Sequence, residues 1–426
     1  MEHSYRRATV IHGHDRTVGY DRTAGQHRPT GVYRVRVVAK FGGTSLGTGE
    51  RVDRAADSVA DVVAAGHEIA VVASAMGSTT DDLLDSIAFD ASDADRDEIV
   101  SMGERTSIRL LKAALNARDV DATFLEPGDD DWPIVTDAYG EVDEAETRRR
   151  TRALVEQLDD TVPVIAGFLA EGPDGAVTTL GRGGSDTTAV MLGSYLEADQ
   201  VVIVTDVEGV MTGDPHVVEG ARNVGEISVE ELRNLSFRGA EVIAPRALSY
   251  KDDALDVRVV HYQHGDLLTG GTSVEGEFEN LVDLRERPLA CLTVAGRSIR
   301  NRPGVLHRLT EALGTASINI DLVASGIDSV TLYVDAEEAE RAENILHQQV
   351  VQHPEVASVS LEEPLAIVRL TGGELPSQSG VIYEIVEPFA ADRIQIHDIV
   401  TSATTVAIIV DWEDRERSLE LVQDRY

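Results

Sequence analysis

Compact positive charge is nearly absent from this chain. Lys and Arg together number 38 against 75 Asp and Glu, and only three of the 38 are lysines: Lys40, Lys112 and Lys251. Surface cation duty therefore falls to Arg, and each Lys invites the question of what a small ammonium does that a guanidinium cannot. The formal net charge of -37 is spread over every segment, which argues against nucleic acid and anionic membranes as partners. Cysteine is reduced to Cys291, so no internal disulfide and no cysteine metal cluster can form, which fits a reducing cytoplasm. No run of about 18 apolar residues occurs, so no segment reads as membrane-spanning.

Aromatics are also scarce, with seven Phe and two Trp. Scarce Lys, scarce aromatics and scattered acid resemble the protein style of salt-loving archaea, in which hydrated carboxylates keep proteins soluble in brine. What remains is ordinary: 426 residues, 42% hydrophobic and 27% charged, enough for two or three soluble domains. Residues 1–33 are rich in His and show neither apolar periodicity nor the apolar core of a signal peptide. They read as a disordered or non-native extension, with translation expected to start near Val35.

From Val35 the pattern becomes strand, glycine loop, helix: Val35 to Lys40, then Glu50 to Ala65 with apolar residues at helical spacing. Strands are expected at Ile69 to Ala73, Val162 to Phe168 and Val201 to Thr205, with helices at Ile99 to Ala117 and Thr187 to Leu196. Such alternation predicts a mainly parallel sheet with helices on both faces. A glycine-rich exit at Gly265 to Gly276 precedes a weak repeat, each unit about 65 residues and of the βαββαβ kind. Its strands are expected at Leu289 to Val294, Ile318 to Val323 and Ser329 to Val334, then again at Ala366 to Leu370, Ile394 to Ile399 and Val406 to Asp411.

Three segments carry chemistry. In Lys40-Phe41-Gly42-Gly43-Thr44-Ser45, glycine amides and a helix N-terminus can face phosphate oxygens while Lys40 supplies a mobile charge. A tight turn with Lys40 in solvent is the plain alternative. Leu180 to Thr188 is a second glycine loop in which Ser185 or Asp186 can cap the next helix, and Arg182 suits a bidentate grip on a carboxylate. Thr205 to Pro215 sets turn-formers and acceptors at the C-terminal end of a strand, where open α/β sheets hold ligands. Glu104, in Ser101 to Arg105, is placed near a helix start, where a carboxylate is often only a dipole partner.

Together with Val72 to Gly77, Thr80 and Gly167-Phe168, these runs stand in an order that resembles the aspartate kinases, members of the amino acid kinase family that carry ACT regulatory domains. The resemblance covers Val35 to Tyr426. It implies a three-layer sandwich with a mainly parallel sheet at 35–275, followed by ACT units at 288–361 and 364–426. It also implies ATP-dependent phosphorylation of the L-aspartate β-carboxylate. Carboxylates with pKa about 3.9 are already ionised at neutral pH, so no general base is needed.

By the same resemblance, Lys40 would neutralise the transferring phosphoryl group and Asp186 would organise Lys40 and the metal-nucleotide. Arg182 would grip an aspartate carboxylate, Glu104 the ammonium, and Ser74, Thr80 and Ser185 would add shorter hydrogen bonds. Gly42, Gly43, Thr205, Asp206, Met211, Asp214 and His216 would line the ATP site. Mg²⁺ would arrive with ATP, with no dedicated metal cluster expected in the chain. A feedback amino acid, threonine or lysine, would bind Asn301 and Asn319-Ile320-Asp321, and the ACT units would pair into a homodimer or higher homo-oligomer.

The chain departs from the family at His216, where Arg is usual, and at Glu241 and Ala244 in a run where Lys and His are usual. Two cations near the nucleotide are thus replaced, with Arg246 or K⁺ as compensation. The competing reading is an amino-acid-sensing paralogue with weak or no kinase activity.

Overall fold

A computed structural model describes residues 34–215, 217–236, 242–277, 281–297, 299, 303–353, 356–372, 380–402 and 404–425. The extension 1–33, His216, Glu241 and Asn301 lie outside these.

The first apolar run becomes β1 (Arg36–Phe41), followed by α1 (Gly49–Ala64), β2 (Glu68–Ala73), α2 (Thr79–Ser86), α3 (Asp93–Asn116) and β3 (Ala122–Leu125). Next come α4 (Glu144–Gln157), β4 (Val162–Ala166), the hairpin of β5 (Leu169–Glu171) and β6 (Val177–Thr179), α5 (Gly184–Tyr195) and β7 (Gln200–Thr205). The domain closes with β8 (Glu226–Ser228), α6 (Val229–Ser236), β9 (Asp256–His261) and β10 (Thr272–Glu275). Val37, Val38 and Ala39 are wholly buried, as are Val201 and Val202. Strands apolar on both faces need cover on both faces, and β1 and β7 sit at the centre of a sheet ordered β3-β4-β2-β1-β7-β9-β10-β8.

From β3 to β9 every pairing is parallel, and β10 turns antiparallel on β9. The crossover β1-α1-β2 runs one way along the sheet and β4-α5-β7 runs the other. Because such crossovers are right-handed, α1 and α5 lie on opposite faces, giving three layers. Helix α3 packs beside α1, and α4 beside α5. Thr48 caps α1 through the Arg51 amide, and Ser92 caps α3 through the Asp95 amide. The chain switches direction between β1 and β7, which places a crevice at their C-terminal ends.

The regulatory half holds β11 (Leu281–Leu284), β12 (Leu289–Ala295), α7 (Val305–Thr315), β13 (Leu322–Ser325), β14 (Ser329–Asp335) and α8 (Ala339–Gln352). It continues through β15 (Ser358–Thr371), α9 (Val381–Asp392), β16 (Ile396–Thr401), β17 (Thr405–Asp411) and α10 (Arg415–Gln423). One sheet runs β13-β14-β12-β15-β17-β16, with β11 also paired to β15. Its helix-covered face splits into two cores, around Leu292 and Leu332 and around Val368 and Ile408. On the other face Cys291, Tyr333, Leu365 and Ile409 cluster. The Tyr333 hydroxyl on β14 donates to Asp398 Oδ2 on β16 at 3.1 Å, although three strands separate them. Strands about 4.8 Å apart forbid that contact in a flat sheet, so this one is curled.

Two expectations shift. The repeat is not two self-contained βαββαβ units: β15 serves both, and the fourth strand beside the second unit is β11, which precedes the first. The strand expected at Ile318 to Val323 begins at Leu322, where ladder pairing with β14 starts; Ser317, at φ 59°, belongs to the turn that ends α7.

Candidate functional site at the C-terminal edge of the central sheet

Lys40 is the penultimate residue of β1, with its ammonium 2.7 Å from Asp186 Oδ1, and both side chains keep 13% of their exposure. Asp186 stands in the first turn of α5, and its Oδ2 accepts the Ala244 amide at 3.1 Å. The helix begins at Gly184 with Gly183 at its N-cap in the left-handed region, φ 73°. Ser185 and Asp186 are therefore not its caps, as capping would have required: the turn is made by Gly183, and Asp186 is left free to face the lysine. The plain alternative for Lys40, an ammonium in solvent, is also corrected by this ion pair.

The loop after β1 is shaped by close approach. The Gly42 amide donates to Val204 O on β7 at 3.2 Å, and the Ser45 hydroxyl donates to the same carbonyl at 3.0 Å. A Cβ on Gly43 would meet Ala75 O at 2.8 Å and Gly77 O at 3.1 Å, both backbone atoms that cannot swing aside. Gly43 is thus required where the loops after β1 and β2 touch, and its carbonyl accepts the Gly77 amide at 2.8 Å. Ser74 follows directly, its amide on Phe41 O at 3.1 Å.

Glu104 lies well inside α3, which begins at Asp93, and not near a helix start. It is 3% exposed; Oε1 accepts the Ala75 amide at 3.1 Å, while Oε2 is buried and has no hydrogen-bond partner among the described residues. Burial pushes its carboxyl up to about 7, against the opposing pull of the Ala75 amide. Such a group has room for one cationic donor. Ser185 is buried, and a Cβ on Gly167 would press on its Oγ at 2.8 Å, so the second glycine loop sits against the end of β4. The next residue, Phe168, takes φ 68°, with its amide held by Thr188 Oγ1 at 3.2 Å.

Lys40, Gly42, Gly43, Ser74, Glu104, Ser185 and Asp186 are therefore linked through shared backbone contacts around the ends of β1, β2 and β7. Arg182 is exposed at the mouth of its loop, and Thr80 is half-buried on α2. Thr205 ends β7 and Asp206 follows it, their side chains 3.4 Å apart, and Met211 and Asp214 lie on the loop beyond. Asn319, Ile320 and Asp321 belong to the regulatory half, ahead of β13, where Asp321 Oδ2 accepts from Arg285 at 3.2 Å. Arg246, expected to compensate for lost cations, is ion-paired with Glu141. The Ala244 amide and the Thr188 hydroxyl are parts of the site that sequence reading missed. A backbone donor leaves no residue signature, and Thr188 is one of two adjacent threonines.

The amino acid kinase family matches residues 35–261, and an ACT domain matches 292–350. An aspartate kinase of Pseudomonas fluorescens is 32% identical over 414 residues, covering 90% of this chain and 95% of its own. The aspartate kinase of Synechocystis superposes with a TM-score of 0.71 at 28% identity, over 91% of this chain and 69% of that one. Aspartokinase III of E. coli in complex with aspartate and ADP gives 0.52 at 27%, over 91% and 99%. Its complex with lysine and aspartate gives 0.50 at 27%, over 92% and 99%.

Proposed function

Since the chain belongs to the amino acid kinase family and its activity is that of an aspartate kinase, converting L-aspartate and ATP to 4-phospho-L-aspartate and ADP, we propose that the transfer takes place at the Lys40 edge. The observation that carries this is the Lys40–Asp186 ion pair beside the Gly42–Gly43 loop at the switch point of the sheet; the Gly42 amide, expected to face phosphate, is instead given to Val204 O. An aspartate β-carboxylate oxygen forms the new bond to the γ-phosphorus as the bond to the ADP oxygen breaks. No proton moves, so the protein contributes position and positive charge.

Lys40 takes the charge that gathers on the phosphoryl oxygens, and Asp186 with the Ala244 amide fixes the direction of its ammonium. Gly42 and Gly43 let the phosphates approach the backbone, with Thr205, Asp206, Met211, Asp214 and His216 along the rest of the nucleotide. The unpartnered Oε2 of Glu104 receives the substrate ammonium, Arg182 a substrate carboxylate, and Ser74, Thr80 and Ser185 complete the pocket. The donor set suits a hard cation brought in with the nucleotide, because Asp186 and Asp206 offer carboxylate oxygens at the same edge. Mg²⁺ arriving with ATP would supply neutralisation of phosphate charge there.

The ACT domain supports feedback by an amino acid, threonine or lysine, at Asn301 and Asn319 to Asp321, in a homodimer or higher oligomer paired through the regulatory sheets. The acidic composition supports a cytoplasm rich in salt, as in salt-loving archaea; among the described residues no helix is long and apolar enough to cross a membrane.

Trapping acyl phosphate as the hydroxamate, with ATP, Mg²⁺ and aspartate in about molar KCl, tests the assignment. Lys40→Ala should lower kcat by roughly a hundredfold to a thousandfold with the fold intact by circular dichroism, the usual cost of losing one transition-state donor. Turnover of another acid but not aspartate would overturn the substrate, and an active Lys40→Ala would overturn the site.

A further inference from the structure

The segment after β7 has little regular structure of its own, yet it is held from outside by two neutral side chains. The Val210 amide donates to Thr272 Oγ1 at 2.9 Å, and that hydroxyl donates to Asn223 Oδ1, also at 2.9 Å. Asn223 Oδ1 further accepts the Gly225 amide at 2.6 Å, and its Nδ2 donates to Glu208 O. Thr272 lies on β10, 62 residues beyond Val210, and is wholly buried. Between the two anchored positions stands Gly209 at φ 112°, where an added Cβ would collide with both Asn223 Nδ2 and Thr272 Oγ1. The loop is thus pressed flat on these two side chains and stitched to its return by the Val224 amide on Val210 O at 2.9 Å and the Thr212 amide on Arg222 O at 2.9 Å.

We propose that Thr272 and Asn223 are positioning residues for the nucleotide: they fix the Glu208–Met211 backbone in its binding form while touching no phosphate themselves. The inference rests on the reading of Thr205 to Asp214 as the nucleotide loop. One buried hydroxyl passes the constraint on, accepting from the loop and donating to the half-buried Asn223, so each hydrogen bond polarises the other. A loop ordered before binding spares the nucleotide the entropy of ordering it, and that saving is read as ATP affinity. Aspartate, taken by Ser74, Glu104 and Arg182 on other elements, gains nothing from it.

The test compares Thr272→Val, Thr272→Ser and Asn223→Ala with Asp206→Ala, a change in the loop itself, by steady-state kinetics in both substrates and by direct ADP binding. Thr272→Val keeps the side-chain shape and removes the hydroxyl. It should raise KM for ATP and Kd for ADP on the order of tenfold, about the worth of one internal hydrogen bond. KM for aspartate should stay unchanged, and Thr272→Ser should restore the parent values. Hydrogen exchange of the unliganded protein should quicken at 207–213 more than in β9 and β10.

A Thr272→Val protein that lowers thermal stability while leaving the ratio of the two KM values and exchange at 207–213 untouched would make the contact merely structural and overturn the proposal. Asp206→Ala separates the two claims. If it weakens ADP and Thr272→Val does not, the positioning role fails alone. If neither variant weakens ADP, the nucleotide reading of the loop fails and takes the proposal with it.

Discussion

Glu104 shows how a single buried acid can report on the substrate. Its carboxyl sits near 7 in the folded protein against an ordinary 4.5, so between these values the folded state holds a proton that the unfolded state has lost. Stability from this group therefore falls as pH rises from about 4.5 to about 7 and stays low above that; a shift of this size corresponds to roughly 3 kcal/mol. Thermal melting of the unliganded enzyme from pH 5 to 8 should show the decline, and Glu104→Gln should remove it. An incoming ammonium favours the charged form, so aspartate binding below pH 7 should release a proton, and KM for aspartate should rise as pH falls. In Glu104→Gln that KM should be flat with pH and roughly tenfold to a hundredfold higher. A pH-independent KM in the parent enzyme would remove Glu104 from the substrate site. The sequence could place Glu104 in an ordered set of motifs but not its burial, because burial comes from the Ala75 loop folding onto α3. Lys40 was legible as a rarity beside glycines; its partner Asp186 read as a cap from local pattern and as the organiser of Lys40 only through the family resemblance, since the turn at Gly183 decides which way that carboxylate faces.

Elements with continuous apolar cores, β1, β2, β4 and β7, could be read directly, because strands buried on both faces carry apolar runs rather than alternation. Short elements at or near the sheet edges such as β8, β10 and β11 carry three or four residues each and no such signal, and β11 proves decisive for the regulatory half. It extends the sheet beside β15, and just past its end the Arg285 amide donates to Ile367 O at 3.2 Å. The same residue sends one guanidinium nitrogen to Asp321 Oδ2 and Asp335 Oδ2, both at 3.2 Å. The segment entering the regulatory sheet is thus tied to the residues proposed to receive the effector. Arg285→Ala should leave kcat and both KM values within about twofold while raising the concentration of threonine or lysine needed for half inhibition roughly fivefold to tenfold, the scale of ordinary coupling energies. Unchanged inhibition in a variant with normal melting would show that the signal travels elsewhere.

For the whole molecule the governing quantity is an excess of 37 negative charges, 75 acidic against 38 basic residues. Arg118 meets Asp53 and Asp57, and Arg417 meets Asp392 and Glu420, but exposed pairs of this kind contribute little and are themselves weakened by salt. Net repulsion acts over the whole surface at a Debye length of about 10 Å in 0.1 M salt and is nearly extinguished at about 3 Å in 1 M. Screening therefore removes more repulsion than attraction, and the compact state gains. Raising KCl from about 0.1 to about 2 M should lift Tm by roughly 2–5 °C, the effect of a few kcal/mol on a chain of this size. The nucleotide is itself an anion approaching an acidic protein that has His216 and Glu241 at positions where its family usually keeps cations. Its affinity should accordingly improve over the same range, as read by ADP titration at fixed Mg²⁺. A basic protein would show the opposite slope, since salt would screen attraction. A Tm and an ADP affinity that both stay flat or fall with KCl would show that the acidic surface is neutral ballast and that Lys40 and its glycine loop suffice without a screening medium.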